Sequence, residues 1–357
     1  MEWKILVFLS LILCVQTTYA AKYFMAFGDS LSDTGNLQSM SGGVVKLPYG
    51  MTYFKKATGR FSDGRLWLDF AMDNFGTQFL PPYDDGSNKN LDYTKGVNFA
   101  IAGATANEDF ASPTLPSGIS LDHQIDSFVN FKKDCSSSHA TSHFPSTGTV
   151  ESGVAIILIG GNDINYMIIG GSSPSAIVAK IPDVIGSIED GINRLAKEGI
   201  KSFLVMNLPP QGCLPLYLQQ SVGSSPKYDG FGCLEEISKV SMEFNKALMA
   251  MLEGIDAGEN IVYGDVFAAA LTMYKSPEDY GFDPASKLQA CCGSGSGTYN
   301  CDASKPGCGC STSTVCKSLS KHMNWDGVHF TEKFYQKITD FVMNQGFYMV
   351  VKGSSFF

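Results

Sequence analysis

The chain has 357 residues, 44% of them hydrophobic and 17% charged, which is enough apolar material for a sizeable core and the wrong composition for disorder. Acidic residues outnumber basic ones 35 to 26, and the net charge of −9 argues against a nucleic-acid partner, which would need a basic face. Neither a Gly-Lys-Ser/Thr phosphate loop nor a His-Glu-x-x-His zinc motif is present.

At the N-terminus Lys4 precedes an apolar stretch from Ile5 to Val15, then Thr18-Tyr19-Ala20 before Ala21. A basic flank, a short apolar core and small residues at the cleavage side describe a secretory signal peptide over residues 1–20. The apolar core is too short to span a bilayer, so no integral membrane segment is expected once it is removed. The mature chain is expected to start at Ala21, secreted or vacuolar.

Phe24-Met25-Ala26-Phe27 reads as a buried strand that stops abruptly at Gly28-Asp29-Ser30. That break leaves a hydroxyl at the carboxyl edge of a strand, near an expected helix start where N–H groups favour negative charge. Leu66 to Met72 reads as a helix, with Ser62 or Asp63 as its cap. Gly96 to Ala106 is a second short strand running into small residues, which let a backbone come close to a neighbour or a ligand. Leu121 to Phe131 is an amphipathic helix. Val154 to Ile159 is an unbroken apolar run, the mark of a strand buried on both faces, and it ends in Gly160-Gly161-Asn162-Asp163. A helix over Ile185–Glu198, a strand over Ser202–Met206, a helix over Glu235–Leu252 and a strand over Ile261–Val266 follow. Thr331 is placed to cap a last helix through Met343.

Strands that alternate with helices predict an α/β fold with a parallel sheet and right-handed crossovers. Five core strands are expected, near residues 23, 97, 155, 203 and 262, in a single domain over 21–357.

Of the ten Cys, Cys14 falls in the leader and nine follow it, six of them between Cys291 and Cys316. In an oxidising compartment these become mostly disulfides, with at least one thiol left over. The spacing is not a paired C-x2-C zinc pattern, so a disulfide-stapled loop over 291–316 is the better reading. Cys213 and Cys233 are expected to close a separate loop.

Three strand ends therefore carry Ser30, Gly103 and Asn162, and a late segment carries Asp326 and His329. Ester cleavage through a serine needs a base, a carboxylate to orient it and donors for the oxyanion. An Asp-x-x-His turn can deliver both base and carboxylate. His123, His139, His143 and His322 have no carboxylate at that spacing and read as surface or packing residues; Asp29 and Asp163 flank the site, where turn hydrogen bonding explains them as well as catalysis does. Trp325 is expected to pack beside the base.

These blocks, Phe27-Gly28-Asp29-Ser30-Leu31, Asn98 to Ala104, Gly160-Gly161-Asn162-Asp163 and Asp326-Gly327-Val328-His329, resemble in order those of the GDSL (SGNH-hydrolase) esterases and lipases. Thr58 to Arg65, Asn207 to Cys213 and Asn324 to Gly327 resemble the secreted plant branch, most of all the group around acetylajmalan esterase and sinapine esterase. The resemblance implies a three-layer α/β/α flavodoxin-like fold. It implies Ser30 as nucleophile, His329 as base then acid, Asp326 as the orienting carboxylate, and an oxyanion hole from the N–H groups of Ser30 and Gly103 with the Asn162 amide. No block implies a cofactor or a metal. The expected partner is a small-molecule ester, with a short acyl group such as acetyl on a specialised-metabolite alcohol. An acyltransferase using the same residues, and a catalytically silent binding or defence protein, are the alternatives. A phospholipid lipase would need an exposed apolar entrance, and no strongly amphipathic surface helix offers one.

Overall fold

Five runs rich in apolar residues form parallel strands: β1 (Phe24–Gly28), β2 (Gly96–Asn98), β3 (Val154–Leu158), β4 (Ser202–Met206) and β5 (Asn260–Gly264). The computed structural model describes residues 23–83, 91–137, 142–221, 224–302, 304–305 and 307–357. The leader expected over residues 1–20 and His139 lie outside these. β1 and β3 are buried at every position, as interior strands of a sheet with helices on both faces, which is why neither alternates with polar residues. The Cys-rich loop adds a small ribbon, β6 (Cys292–Gly293) with β7 (Thr314–Val315). Then β8 (Tyr348–Lys352) joins the main sheet antiparallel to β5, giving the order β2-β1-β3-β4-β5-β8.

The main sheet therefore has six strands, five parallel as expected and one beyond them. β8 is an edge strand whose apolar run, Tyr348 to Val351, leaves Met349 and Val350 exposed, and it is not among the five expected strands.

The helices in chain order are α1 (Asn36–Met40), α2 (Trp67–Asn74), α3 (Leu121–Ser136), α4 (Thr147–Glu151), α5 (Gly161–Ile169), α6 (Pro174–Lys197), α7 (Pro215–Gln220), α8 (Glu235–Gly254), α9 (Val266–Lys275) and α10 (Glu332–Asn344). α3, α6 and α8 pack side by side in one layer, and α2, α10 and α9 in another, so helices flank the sheet. α6 begins eleven residues before the expected Ile185, at Ser173-Pro174, and runs through Pro182. A proline inside a helix costs about 3 kcal/mol. Its apolar stripe continues across the proline through Ile177, Ile181, Val184 and Ile185, and at about 1.5–3 kcal/mol per buried side chain the stripe outweighs that cost.

One helix cap follows the expectation and one departs from it. Thr331 caps α10 as expected, accepting from Phe334 N–H at 3.3 Å. α2 is capped from within, by Asp69 accepting the Leu66 N–H at 2.9 Å, while the Asp63 carboxylate reaches across to the Glu332 N–H at 2.6 Å. Asp63 thus serves the helix after the Asp-x-x-His turn and not its own.

The carboxyl edge of the sheet is held by one buried group. Asp33 accepts from the N–H groups of Gly35, Asn36 and Leu37 and from Ala102 at 2.8 Å, tying the segment after β1 to the segment after β2. Asn98 adds a second tie, Nδ2 to the Ser32 carbonyl at 2.6 Å. Asp33→Ala would strand these N–H groups in a dry interior. It is expected to lower stability by more than about 3 kcal/mol in urea unfolding, well beyond an ordinary surface substitution.

Candidate active site

Ser30 stands two residues beyond β1, where the chain must leave the sheet in little space. Gly28 has φ +152°, and a Cβ there would lie 2.3 Å from the Leu158 carbonyl oxygen of β3. Only glycine fits so close an approach. Gln124 of α3 clasps the same residue from both sides, accepting from Gly28 N–H at 2.9 Å and donating to its carbonyl at 2.8 Å. The Asp29 carbonyl then accepts from the N–H groups of Ser32 and Asp33, closing a turn with Ser30 at its crest. No long helix starts here: α1 has five residues and begins at Asn36. The helix start at this site is that of α5, which carries Asn162 in its first turn.

His329 Nε2 lies 2.8 Å from Ser30 Oγ, and His329 Nδ1 lies 2.8 Å and 3.0 Å from the two oxygens of Asp326. With Nδ1–H donating to the carboxylate, Nε2 is left as an acceptor facing the serine hydroxyl. Asp326 Oδ1 also takes the N–H groups of Val328 and His329, each at 2.9 Å. This is how a three-residue spacing supplies both groups: the carboxylate caps the turn that carries the imidazole. Burial alone would raise Asp326. The charge of His329 and the bonds from that residue and Val328 outweigh it and hold the carboxyl below its ordinary value. The Phe61 ring covers the imidazole, with centroids 4.9 Å apart.

The turn is pinned from behind by the Cys-rich loop. Cys291 N–H donates to the Asn324 carbonyl at 3.0 Å and Cys292 N–H to that of Trp325 at 2.6 Å. Disulfides Cys291–Cys316 and Cys292–Cys308 close this loop, and Cys213–Cys233 forms as expected. Cys135, Cys301 and Cys310 are free. Cys291, Cys316 and His322 come within 4.8 Å of one another, but the two sulfurs are spent on each other and have no thiolate to offer a metal. Trp325 is fully buried against this loop, edge-on to Tyr49.

Asn162 Nδ2 donates to the Ala104 carbonyl at 3.0 Å, and its Oδ1 accepts from Asn165 Nδ2 at 3.2 Å. Asn165 is itself fixed by Gln211 Nε2 at 2.8 Å and by the Tyr217 hydroxyl. These bonds set the amide's orientation and leave one Nδ2 hydrogen unspent. Gly103 has φ +87°, a Cβ there would lie 2.2 Å from Leu115 Cδ1, and Tyr166 Oη donates to its carbonyl at 3.0 Å. Among the described residues, the Ser30 and Gly103 N–H groups donate to no protein acceptor. Ser30, Gly103, Asn162 and His329 all line one cavity of about 390 Å³. His123 and His322 do not line it; each bonds a nearby serine, at Ser120 Oγ and the Ser318 carbonyl respectively.

The cavity's walls are largely apolar and, among the described residues, carry neither lysine nor arginine; Val44 and Ile169, 57% and 59% exposed, form part of its rim. An apolar entrance therefore exists, contrary to the sequence reading. It is assembled from a loop and a helix end far apart in the chain, so no single amphipathic helix announces it.

A family profile described as GDSL-like Lipase/Acylhydrolase matches residues 24–342. The chain belongs to this family. Among the similar GDSL proteins of Arabidopsis thaliana, "GDSL esterase/lipase LIP-4" is 37% identical over 316 residues, 86% of this chain and 81% of that one. "GDSL esterase/lipase At5g45910" is 36% identical over 343 residues, 90% of each chain. As a member of the GDSL family the protein is an ester hydrolase.

Sequence reasoning missed several residues of this GDSL site: Tyr49, Gln124, Asn165, Gln211 and Tyr217. None sits in a block with chemical spacing, and only packing brings them in. Four carboxyls around the GDSL site are raised. Burial pushes Asp29 up to about 7 and Asp63 and Asp163 up to about 6, and it raises Asp33 despite its N–H partners. Asp29 accepts from Leu31 N–H, a local turn bond, whereas Asp163 accepts from the N–H groups of Ala106 and Asn107 on a distant segment, a cross-link and not the turn bonding expected of it. Each raised group binds a proton more tightly folded than unfolded, so stability is greatest below the unfolded value near 4 and falls as pH rises toward 6–7. The thermal midpoint is expected to be higher at pH 5 than at pH 7.5, and Asp163→Asn is expected to flatten that slope.

Proposed function

We propose that the protein is a secreted serine esterase that acts through an acyl-enzyme on Ser30. The observation that carries this reading is the bonded chain Ser30–His329–Asp326 opening onto one cavity with three unspent donors beside it. His329 Nε2 takes the Ser30 proton as Oγ attacks the ester carbonyl carbon. The oxyanion is received by the N–H groups of Ser30 and Gly103 and by Asn162 Nδ2. Collapse of the tetrahedral intermediate breaks the bond to the alcohol oxygen, which leaves with the proton from His329. Water then attacks the acyl-enzyme, giving its proton to His329, and the acid departs as Ser30 recovers that proton. Asp326 keeps the imidazole in one tautomer and balances its charge throughout.

The acyl group in this reading is short, such as acetyl, and the alcohol is a specialised metabolite, as the resemblance to the acetylajmalan esterase branch suggests. A cavity of about 390 Å³ far exceeds an acetyl group, which supports a bulky apolar alcohol portion filling the remainder. The absence of lysine and arginine from its walls among the described residues favours an uncharged or cationic substrate over a phosphate ester. The apolar rim supports a second reading, a longer acyl chain that leaves the cavity across Val44 and Ile169. Residues 1–20 are the proposed signal peptide, so the secreted product would begin at Ala21.

The test is turnover of p-nitrophenyl esters from acetate to palmitate. Ser30→Ala is expected to lower kcat by more than about 10⁴-fold. Asn162→Ala is expected to cost about 2.7–4 kcal/mol of transition-state stabilisation, one oxyanion donor. Equal and small losses in both would overturn the assignment. A peak at acetate supports the short-acyl reading, and a peak at long chains the second. If a fluorophosphonate labels Ser30 while no ester turns over, added alcohol acceptors will reveal an acyltransferase; a chain that takes no label is a binder.

A further inference from the structure

We propose that Tyr49 is a positioning residue for this hydrolytic centre: its hydroxyl fixes the Asp326 carboxylate and tempers how strongly that carboxylate holds the His329 imidazole. The inference rests on the triad reading above. Tyr49 Oη donates to Asp326 Oδ2 at 2.9 Å, the same oxygen that receives the shorter of the two Nδ1 contacts, at 2.8 Å. Oδ1 already has its two backbone partners. Tyr49 is therefore the group that decides whether Oδ2 faces the imidazole alone or shares its charge with a second donor.

The phenol is held for this task from several directions. Its ring lies edge-on to Trp325 at 5.9 Å and to Phe61 at 5.8 Å, and Phe61 in turn covers the His329 ring. The Cys-rich loop closes on the same ring, since a Cβ on Gly309 would sit 3.6 Å from it. Behind it, Gly50 N–H donates to the Ser62 carbonyl at 2.9 Å and Thr52 N–H to that of Asp63 at 2.7 Å, and Asp63 caps α10 just beyond His329. One strap, residues 49–63, thus touches the carboxylate, the imidazole and the exit of the turn that carries both.

Tyr49 acts only as a donor. Burial, then the neighbouring Asp326 charge, pushes its phenol far above the ordinary range, so it stays protonated wherever the enzyme works. The Cys301 thiol and the Tyr335 phenol also lie within electrostatic reach of Asp326; both are raised by burial and uncharged at neutral pH. On the other side of His329, Asp29 titrates near 7. Removing the Tyr49 hydroxyl leaves these groups in place and makes Asp326 a stronger base. The imidazolium is then stabilised, and the acid limb of activity moves to higher pH.

The experiment compares wild type with Tyr49→Phe on p-nitrophenyl acetate across pH 4–9, each rate normalised to sites titrated by a fluorophosphonate so that only folded centres count. The expected result is a fall in kcat of about tenfold, the size of one charge-assisted hydrogen bond, with KM unchanged and the acid limb shifted upward. A Tyr49→Phe enzyme with wild-type kcat and an unmoved limb overturns the proposal alone. So does a loss that vanishes on normalisation, which would leave Tyr49 a packing residue. Failure of the label to react with Ser30 in wild type overturns the triad reading and the Tyr49 role with it.

Discussion

A hydroxyl and an imidazole 299 positions apart in the chain meet at 2.8 Å, and most of the architecture around them serves that contact. The two partners are held by different means. Ser30 is fixed by the sheet: β1 is paired on both sides, Gly28 lets β3 come close, and Gln124 and Asp33 hold the turn that follows. His329 comes from a loop after the last parallel strand, where no ladder is available. Its place is secured by the Cys-rich loop behind Asn324 and Trp325 and by Thr331 and Asp63 at the start of α10. Disulfides suit this half of the site, because they reduce the freedom of a long irregular segment that cannot bury much apolar surface.

The carboxylates show how one residue type takes opposite roles in one neighbourhood. Asp33 and Asp163 are splints, each accepting backbone N–H groups from a segment that would otherwise be a loose loop. Burial raises both, and their N–H partners only reduce that rise. Asp326 is also buried, yet it is lowered, because it faces an imidazole that can carry a full positive charge. A partner of opposite charge, and not the number of N–H bonds, separates the carboxylate beside His329 from the other two.

Much of the fold was legible. Strands buried on both faces leave long apolar runs, and β1, β3, β4 and β5 stood out for that reason. β8 has an apolar run of its own, but it follows the last helix as an antiparallel edge strand, outside the alternation of strands and helices from which the other five were read. The first half of α6 was hidden by Pro182, whose local penalty is visible in the chain while the burial that overcomes it is not. Asp63 was read as a cap for the nearest helix, which is the short-range rule; it caps α10 instead, some 269 positions away.

The residue types and their spacing determined which groups could do chemistry. A hydroxyl after a strand, an Asp-x-x-His turn and a glycine and an asparagine at other strand ends are local patterns, fixed by a few neighbouring positions. Folding alone decided what surrounds them: the Tyr49 phenol on Asp326, the Asn165–Gln211–Tyr217 bonds behind Asn162, and an apolar rim joining Val44 to Ile169. Those partners come from segments tens to hundreds of residues apart, and hydrogen bonds and packing across such gaps impose no periodicity on the chain. The sequence by itself names the candidate reacting groups; their relative orientation is a property of the packed sheet and its stapled loop.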